Sequence, residues 1–222
     1  MKKQKRHEKP RHRALPVGLV TTGRQLLIIG GGIDTVARTR HAAQFDWRAV
    51  RILLPAKNTE VEKIAARDPR MKVLFRAATE KDVKWADIIF KDSGKFSDMW
   101  QIAVWCRKHG RLLNCVDRAE SCDLFYLAMV MRGAMVLGIT SGGEAPALTA
   151  VMRRHLEDSL GDGWADAAEM MGKLRRKLTP GRKRMELLRK LANNSELIEC
   201  VSKGNLSRLK RMFEDGTDLI RT

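Results

Sequence analysis

The strongest constraint on this chain is a short apolar run that ends in three glycines, Leu26-Leu27-Ile28-Ile29-Gly30-Gly31-Gly32, followed at once by helical spacing. A strand that runs through such a turn into a helix is the start of a βα unit. The glycines let the chain turn tightly. They also let its backbone approach a phosphate, so that the first N–H groups of the helix face the phosphate oxygens. Gly30 and Gly32 fill the first two places of a G-x-G-x-x-G fingerprint, and the third falls on Thr35, bulkier than the usual glycine or alanine. A tight βα turn with no ligand is the other reading of the same residues. The acid that often closes the second strand and binds the ribose hydroxyls is missing, since that stretch is Leu53-Leu54-Pro55-Ala56-Lys57-Asn58. The sequence therefore does not choose NAD over NADP, and Lys57 would tolerate a 2′-phosphate.

The alternation continues through the N-terminal half. Residues 25–29, 50–54, 72–76, 86–90 and 112–116 read as strands, and 34–44, 59–67 and 100–109 as helices. This order predicts an α/β fold with a doubly wound parallel sheet of the Rossmann type. After about residue 117 the pattern changes. Residues 134–140 give one more strand, Ser141-Gly142-Gly143 a turn, and Pro146 a helix start. The remainder is helical in pattern, with breaks near 161–163, 179–181 and 204. Residues 1–13 read as a disordered basic arm.

With 44% hydrophobic residues the chain can build a core. No apolar run approaches the roughly 18–20 residues that span a bilayer. The basic N-terminus lacks the apolar stretch of a secretory signal, so a cytoplasmic protein is expected. Cys106, Cys115, Cys122 and Cys200 form no CxxC pair, which reads as reduced, mostly buried thiols and neither a metal site nor a disulfide scaffold. The net charge of +17 attracts polyanions. Nucleic acid and a small molecule bearing many carboxylates both answer to it, as does a solvated basic face with no ligand.

A longer series of residues narrows the choice. It comprises Leu15-Pro16, the strand ending in Gly30-Gly31-Gly32, Asn114-Cys115-Val116-Asp117, Ser121-Cys122-Asp123-Leu124-Phe125, Arg132-Gly133, and Thr140-Ser141-Gly142-Gly143-Glu144-Ala145-Pro146-Ala147-Leu148. In order and spacing it resembles the precorrin-2 dehydrogenase family, which includes the N-terminal half of bifunctional siroheme synthases. The resemblance covers roughly residues 15–160 and is most specific from Asp117 to Leu148. It implies a homodimer with a Rossmann domain over 14–116, a dimerisation segment over 117–158 and a small all-α domain over 159–222. The activity implied is NAD-dependent oxidation of precorrin-2 to sirohydrochlorin, with Fe²⁺ insertion in some members. By matched position the nucleotide touches Gly30, Gly31, Gly32, Ile33 and Asp34 at the turn, Pro55 and Ala56 after the second strand, and Ser93 after the fourth. The family's catalytic aspartate falls on Asp117.

The residue types suit that chemistry. Dehydrogenation gives up a hydride and a proton, and a carboxylate at the C-terminal end of a strand is well placed to take the proton. Arg132, Arg153 and Arg154 are candidates to clamp substrate carboxylates, because a guanidinium fork binds a carboxylate bidentately. Ser141, Gly142 and Gly143 offer a hydroxyl and N–H groups before a helix. Each also has a bland reading: Asp117 as a cap, Arg153 and Arg154 as solvated helix residues, Ser141 as a turn residue.

Three departures fall on the nucleotide side: Thr35, the missing acid, and Lys91-Asp92 where the family carries small residues. They leave open a tetrapyrrole-binding or chelatase-only member with a decayed nucleotide site. A nucleic-acid-binding or redox-sensing Rossmann protein is the reading from another class. Nine Lys and Arg in 173–190 favour it, and the lack of a recognition-helix motif or interleaved aromatics stands against it.

Overall fold

A computed structural model of the chain describes residues 14–92 and 96–218; the basic arm and Ser93 lie outside the described residues. The chain divides into two compact units, Met1–Tyr126 and Leu127–Thr222.

In the first unit strands and helices alternate: β1 (Gln25–Ile29), α1 (Ile33–Ala42), β2 (Ala49–Leu54), α2 (Thr59–Ala65), β3 (Met71–Phe75), α3 (Glu80–Trp85), β4 (Ile88–Lys91), α4 (Phe96–His109) and β5 (Leu112–Cys115). The five strands form one parallel sheet in the order β3-β2-β1-β4-β5, the Rossmann-type arrangement expected from the sequence. Successive side chains of a strand point to opposite faces, so a sheet covered on both sides needs strands that are apolar throughout. β1 meets that need. Leu26 and Ile28 pack with Val36, Val61 and Ile52 on one face, and Leu27 and Ile29 with Val83, Ile102 and Cys106 on the other.

The short helix α3 was not apparent in the sequence. Its polar residues have no apolar stripe to declare them, and it is fixed by a capping box in which Thr79 and Asp82 bond each other's ends.

The second unit opens with a hairpin of β6 (Ala128–Arg132) and β7 (Met135–Ile139), followed by α5 (Pro146–Ser159), α6 (Gly163–Lys177), α7 (Arg182–Ala192), α8 (Ser195–Lys203) and α9 (Leu206–Asp218). β6 is a strand that the sequence pattern did not show; Gly133, at φ +55°, supplies the left-handed residue its two-residue turn requires. The breaks near 161–163, 179–181 and 204 are present. One more lies at Asn193-Asn194, where the Asn194 side chain accepts from Glu196 N at 2.8 Å and starts α8. Ala167, Leu174, Leu188, Leu197, Val201, Leu209 and Phe213 form the core of this unit. No helix among the described residues is long and apolar enough to cross a membrane.

Candidate functional site

A doubly wound sheet gathers its loops at the carboxyl ends of its strands. The crevice opens where the strand order reverses, here between β1 and β4. Gly30–Gly32 leave β1 at this point and Asp92 leaves β4. Backbone bonds carry the ladders past the strand ends: Gly30 N to Leu53 O at 3.0 Å, Asp92 N to Ile29 O at 2.8 Å and Val116 N to Lys91 O at 3.0 Å.

The glycine turn is packed by the chain's own side chains. The Asp92 carboxylate accepts from Gly32 N and from the Thr35 hydroxyl, both at 2.8 Å and both to Oδ2. A Cβ at Gly30 would stand 2.2 Å from Asp92 Cβ, and one at Gly32 would stand 2.8 Å from Asp92 Oδ2. Gly31 lies against Pro55, and its carbonyl accepts from Asn58 Nδ2 at 3.0 Å, while Asn58 Oδ1 caps α2. The turn is thus tied to the start of α2 as well as to β4.

The surroundings of Asp92 are cationic. The buried Lys91 ammonium donates to Asp92 O at 2.9 Å, and Arg38 lies over the Tyr126 ring at 3.7 Å. Burial lowers the Arg38 pKa, with Tyr126, Asp34 and Asp92 acting in the opposite sense. Tyr126 is hydrogen-bonded to His41 Nδ1 at 2.6 Å and sits edge-on to Phe90; burial drives its phenol upward. Ile28, Asp34, Thr35, Arg38, Phe90, Lys91, Asp92 and Val116 enclose a space with no room for a water molecule. Sequence reasoning missed Arg38, His41 and Tyr126, since only the fold brings them together.

A dinucleotide held by this fingerprint places its pyrophosphate at the N-terminus of α1. There a carboxylate from β4 already takes the Gly32 N–H and the Thr35 hydroxyl, so the residues as they stand do not receive that group. Around the turn Pro55, Ala56 and Lys57 are exposed, as is Ile33 at 86%.

At the next strand end, the motif residues fold the chain back on β5. Asp123 accepts from Leu113 N at 3.0 Å, Asn114 donates to Leu124 O at 3.0 Å, and the Cys122 sulfur accepts from Cys115 N at 3.1 Å. Burial pushes the Cys115 thiol up to about 11 and Cys106 to about 12, so neither is a thiolate at neutral pH. Asp117 is left at the tip of this loop. It has φ +62°, the one positive value outside glycine among the described residues, and its exposed carboxylate makes no hydrogen bond or ion pair there. The short 3-10 turn Ala119–Ser121 is preceded by Arg118 at the cap position, with no side-chain cap bond, so Asp117 caps nothing. A strained residue outside glycine costs on the order of 1 kcal/mol or more and marks a constrained site.

In the second unit the candidate substrate contacts differ in how free they are. Arg132 donates to Leu160 O at 2.6 Å, Met131 O at 2.9 Å and Glu157 O at 2.5 Å, which makes it the cap of the C-terminal end of α5. Arg153 is paired with Glu157 one turn along α5, whereas Arg154 is exposed with no partner among the described residues. Ser141 Oγ accepts from Ala145 N at 2.9 Å and keeps its proton to donate. Gly142 N is bonded to the Thr140 hydroxyl, and both Gly142 and Gly143 are left-handed.

Residues 17–128 match a family profile described as "Putative NAD(P)-binding". The siroheme synthase of Blochmanniella floridana is 26% identical over 91% of this chain and 44% of its own length. That of Saccharophagus degradans is also 26% identical, over 92% and 45%, and that of Neisseria meningitidis serogroup C 28% identical over 72% and 33%. The chain spans less than half the length of these relatives. The solved structure of SirC, a precorrin-2 dehydrogenase, superposes with a TM-score of 0.70 at 18% identity, covering 92% of this chain and 100% of SirC, a likeness of fold. The sheet order, the glycine turn and the match over 17–128 agree, and the chain belongs to the NAD(P)-binding family that this profile describes.

Proposed function

We propose that this chain is an enzyme of siroheme biosynthesis that acts on a polycarboxylate tetrapyrrole, precorrin-2 being oxidised to sirohydrochlorin, with Asp117 as the proton acceptor. The similarity to siroheme synthases over most of the chain supports the pathway. The observation that carries the role of Asp117 is its state: within a motif whose Asn114, Cys122 and Asp123 hold the loop, its carboxylate is exposed, has no hydrogen bond or ion pair among the described residues, and stands on left-handed backbone.

Oxidation of precorrin-2 gives up a hydride and a proton, and an Asp117 carboxylate oxygen takes the proton. Family membership makes a nicotinamide nucleotide, NAD in the reading that the resemblance gives, the expected oxidant. The glycine turn as built does not seat its pyrophosphate, so only the proton chemistry follows from the chain's own residues. The net charge of +17 provides the field for a substrate rich in carboxylates. Within the second unit taken by itself, the Arg154 guanidinium, the Ser141 hydroxyl and the Gly143 N–H are the groups left with donors to offer a carboxylate, with Arg153 shared with Glu157.

A second reading is favoured by Asp92. A member that holds the tetrapyrrole and inserts Fe²⁺ as a substrate needs no nucleotide, and the pyrrole N–H protons it releases call for a base like Asp117. Under either reading a homodimer is proposed. Leu148, Val151 and Met152 are 66%, 51% and 53% exposed on one side of α5, an apolar stripe that a second copy would cover.

The test mixes the purified protein with precorrin-2 and NAD⁺ or NADP⁺, and separately sirohydrochlorin with Fe²⁺, following the tetrapyrrole absorption in each. A product spectrum that falls about 100-fold or more in Asp117→Asn is expected. Unchanged turnover in Asp117→Asn removes the assignment of Asp117. No response of the tetrapyrrole spectrum, together with salt-sensitive retention on DNA, overturns the function. Val151→Glu is expected to convert a dimer to a monomer in light scattering, and a wild-type monomer sinks the dimer.

A further inference from the structure

We infer that Asp92 is an internal occupant of the anion seat at the glycine turn, and that it sets how weakly this chain holds a dinucleotide. The inference rests on the family-level reading of the turn as a nucleotide seat. It does not rest on the tetrapyrrole reading.

Three observations converge on it. The first is position: Asp92 N is bonded to Ile29 O at 2.8 Å, which anchors the residue at the reversal of strand order with its side chain over the turn. The second is the bonding. Asp92 Oδ2 takes the Gly32 N–H and the Thr35 hydroxyl, donors at the positive end of α1 that would otherwise face a phosphate. The third is packing. The absence of a Cβ at Gly30 and Gly32 is used by Asp92 itself, with 2.2 Å and 2.8 Å to where those atoms would lie, and no water-sized space remains beneath. The nearby cations, Lys91 on Asp92 O and Arg38 of α1, make a seat that suits an anion, and the chain fills it from within.

A pyrophosphate arriving at this turn has two courses. It displaces the carboxylate and takes over its donors, or it lies beside a buried negative charge in a region of low dielectric. Both weaken binding. Removing the carboxylate leaves Gly32 N–H, the Thr35 hydroxyl, Lys91 and Arg38 available to the ligand.

Calorimetric titration of NAD⁺ and of NADP⁺ into the full chain, with no tetrapyrrole present, tests this on the wild type, Asp92→Ala and Asp92→Asn. Asp92→Ala is expected to bind at least one of the two nucleotides tenfold or more tightly than the wild type. Asp92→Asn, which removes the charge and keeps most of the volume, is expected to fall between them. Inorganic pyrophosphate is expected to raise the melting temperature of Asp92→Ala by a few degrees and to leave the wild type unmoved. Equal affinity across the three proteins, whether tight or absent, overturns the inference. If Asp92→Ala does not fold, Asp92→Asn decides: a fivefold gain supports the occupant, and no gain removes it. Because no tetrapyrrole is in the cell, either result leaves the proposal for Asp117 to its own assay.

Discussion

Asp82 provides the sharpest stability prediction. Its buried carboxylate accepts from Arg51 at 2.7 Å, from Arg76 at 2.6 and 2.8 Å, from Thr79 N at 2.9 Å and from the Thr79 hydroxyl at 2.7 Å. It therefore joins β2, the end of β3 and the start of α3, and the Arg51 guanidinium is held further by stacking on Trp85 at 4.1 Å. Burial pushes the Asp82 pKa up, but the hydrogen bonds from Arg76, Thr79 and Arg51 together outweigh it and hold the group well below the usual carboxylate range. Removing one partner of a buried ion pair costs about 3–5 kcal/mol. Both arginines are partly exposed, at 25% and 43% of their side chains, so solvent screening reduces that to about 2–3 kcal/mol for Asp82→Asn. In a unit of this size the loss lowers Tm by roughly 6–12 °C. The pH dependence has a fixed sign. A folded-state pKa below the unfolded one gives stability that is present above about pH 4 and is lost as pH falls from there toward the folded value. Thermal melts of wild type and Asp82→Asn, followed by circular dichroism from pH 7 to pH 3, should show a gap that narrows below about pH 4. A gap under 2 °C at pH 7, or one that stays constant to pH 3, refutes the reasoning.

Substitutions at three further positions test other parts of the structure. Gly163→Ala places a Cβ 2.3 Å from Val201 O between α6 and α8, and urea titration should show a loss of about 1–3 kcal/mol; an unchanged midpoint contradicts that contact. At Asp117, φ +62° predicts that Gly is tolerated or stabilising by up to about 1 kcal/mol while Val costs at least about 1 kcal/mol, with activity lost in both; a Val variant as stable as the wild type removes the left-handed backbone. Arg132→Ala frees the Glu157 and Leu160 carbonyls at the end of α5 and the Met131 carbonyl in β6, and should cost about 2–3 kcal/mol in a melt made without any ligand, whereas a purely ligand-binding arginine leaves that melt unchanged.

The sheet was legible because its strands are buried on both faces and so are short apolar runs, as in Leu26-Leu27-Ile28-Ile29. α3 was not, because Glu80–Trp85 is helical through Asp82 and its arginines, which lie up to 31 residues away, and not through its own periodicity. β6 was hidden because its side chains, apart from Val130, are only partly buried and carry no clean alternation. The site shows the same division. The place of the glycine turn and of Asp117 could be read from local pattern. That Asp123, Asn114 and Cys122 fasten the loop, and that Arg132 closes α5, depends on which backbone groups they reach. What fills the glycine turn comes from 60 residues further along the chain, a distance over which local spacing carries no information.

That long reach changes the meaning of two departures from the fingerprint. Thr35 in place of a small residue and Asp92 in place of another look like independent losses along the sequence, yet they are the two ends of one buried hydrogen bond of 2.8 Å. A turn that had merely stopped selecting for a ligand has no reason to acquire a donor and an acceptor that match. A double-mutant cycle measures the match. Thr35→Ala alone leaves a buried carboxylate short of a donor, and Asp92→Ala alone leaves a buried hydroxyl short of an acceptor; the two together leave neither. Each single change should cost about 1–3 kcal/mol and the double should cost less than their sum by about 1 kcal/mol or more. Costs that add within about 0.4 kcal/mol in urea denaturation would show that the two residues do not act as a pair, and the glycine turn would then have to be explained one residue at a time.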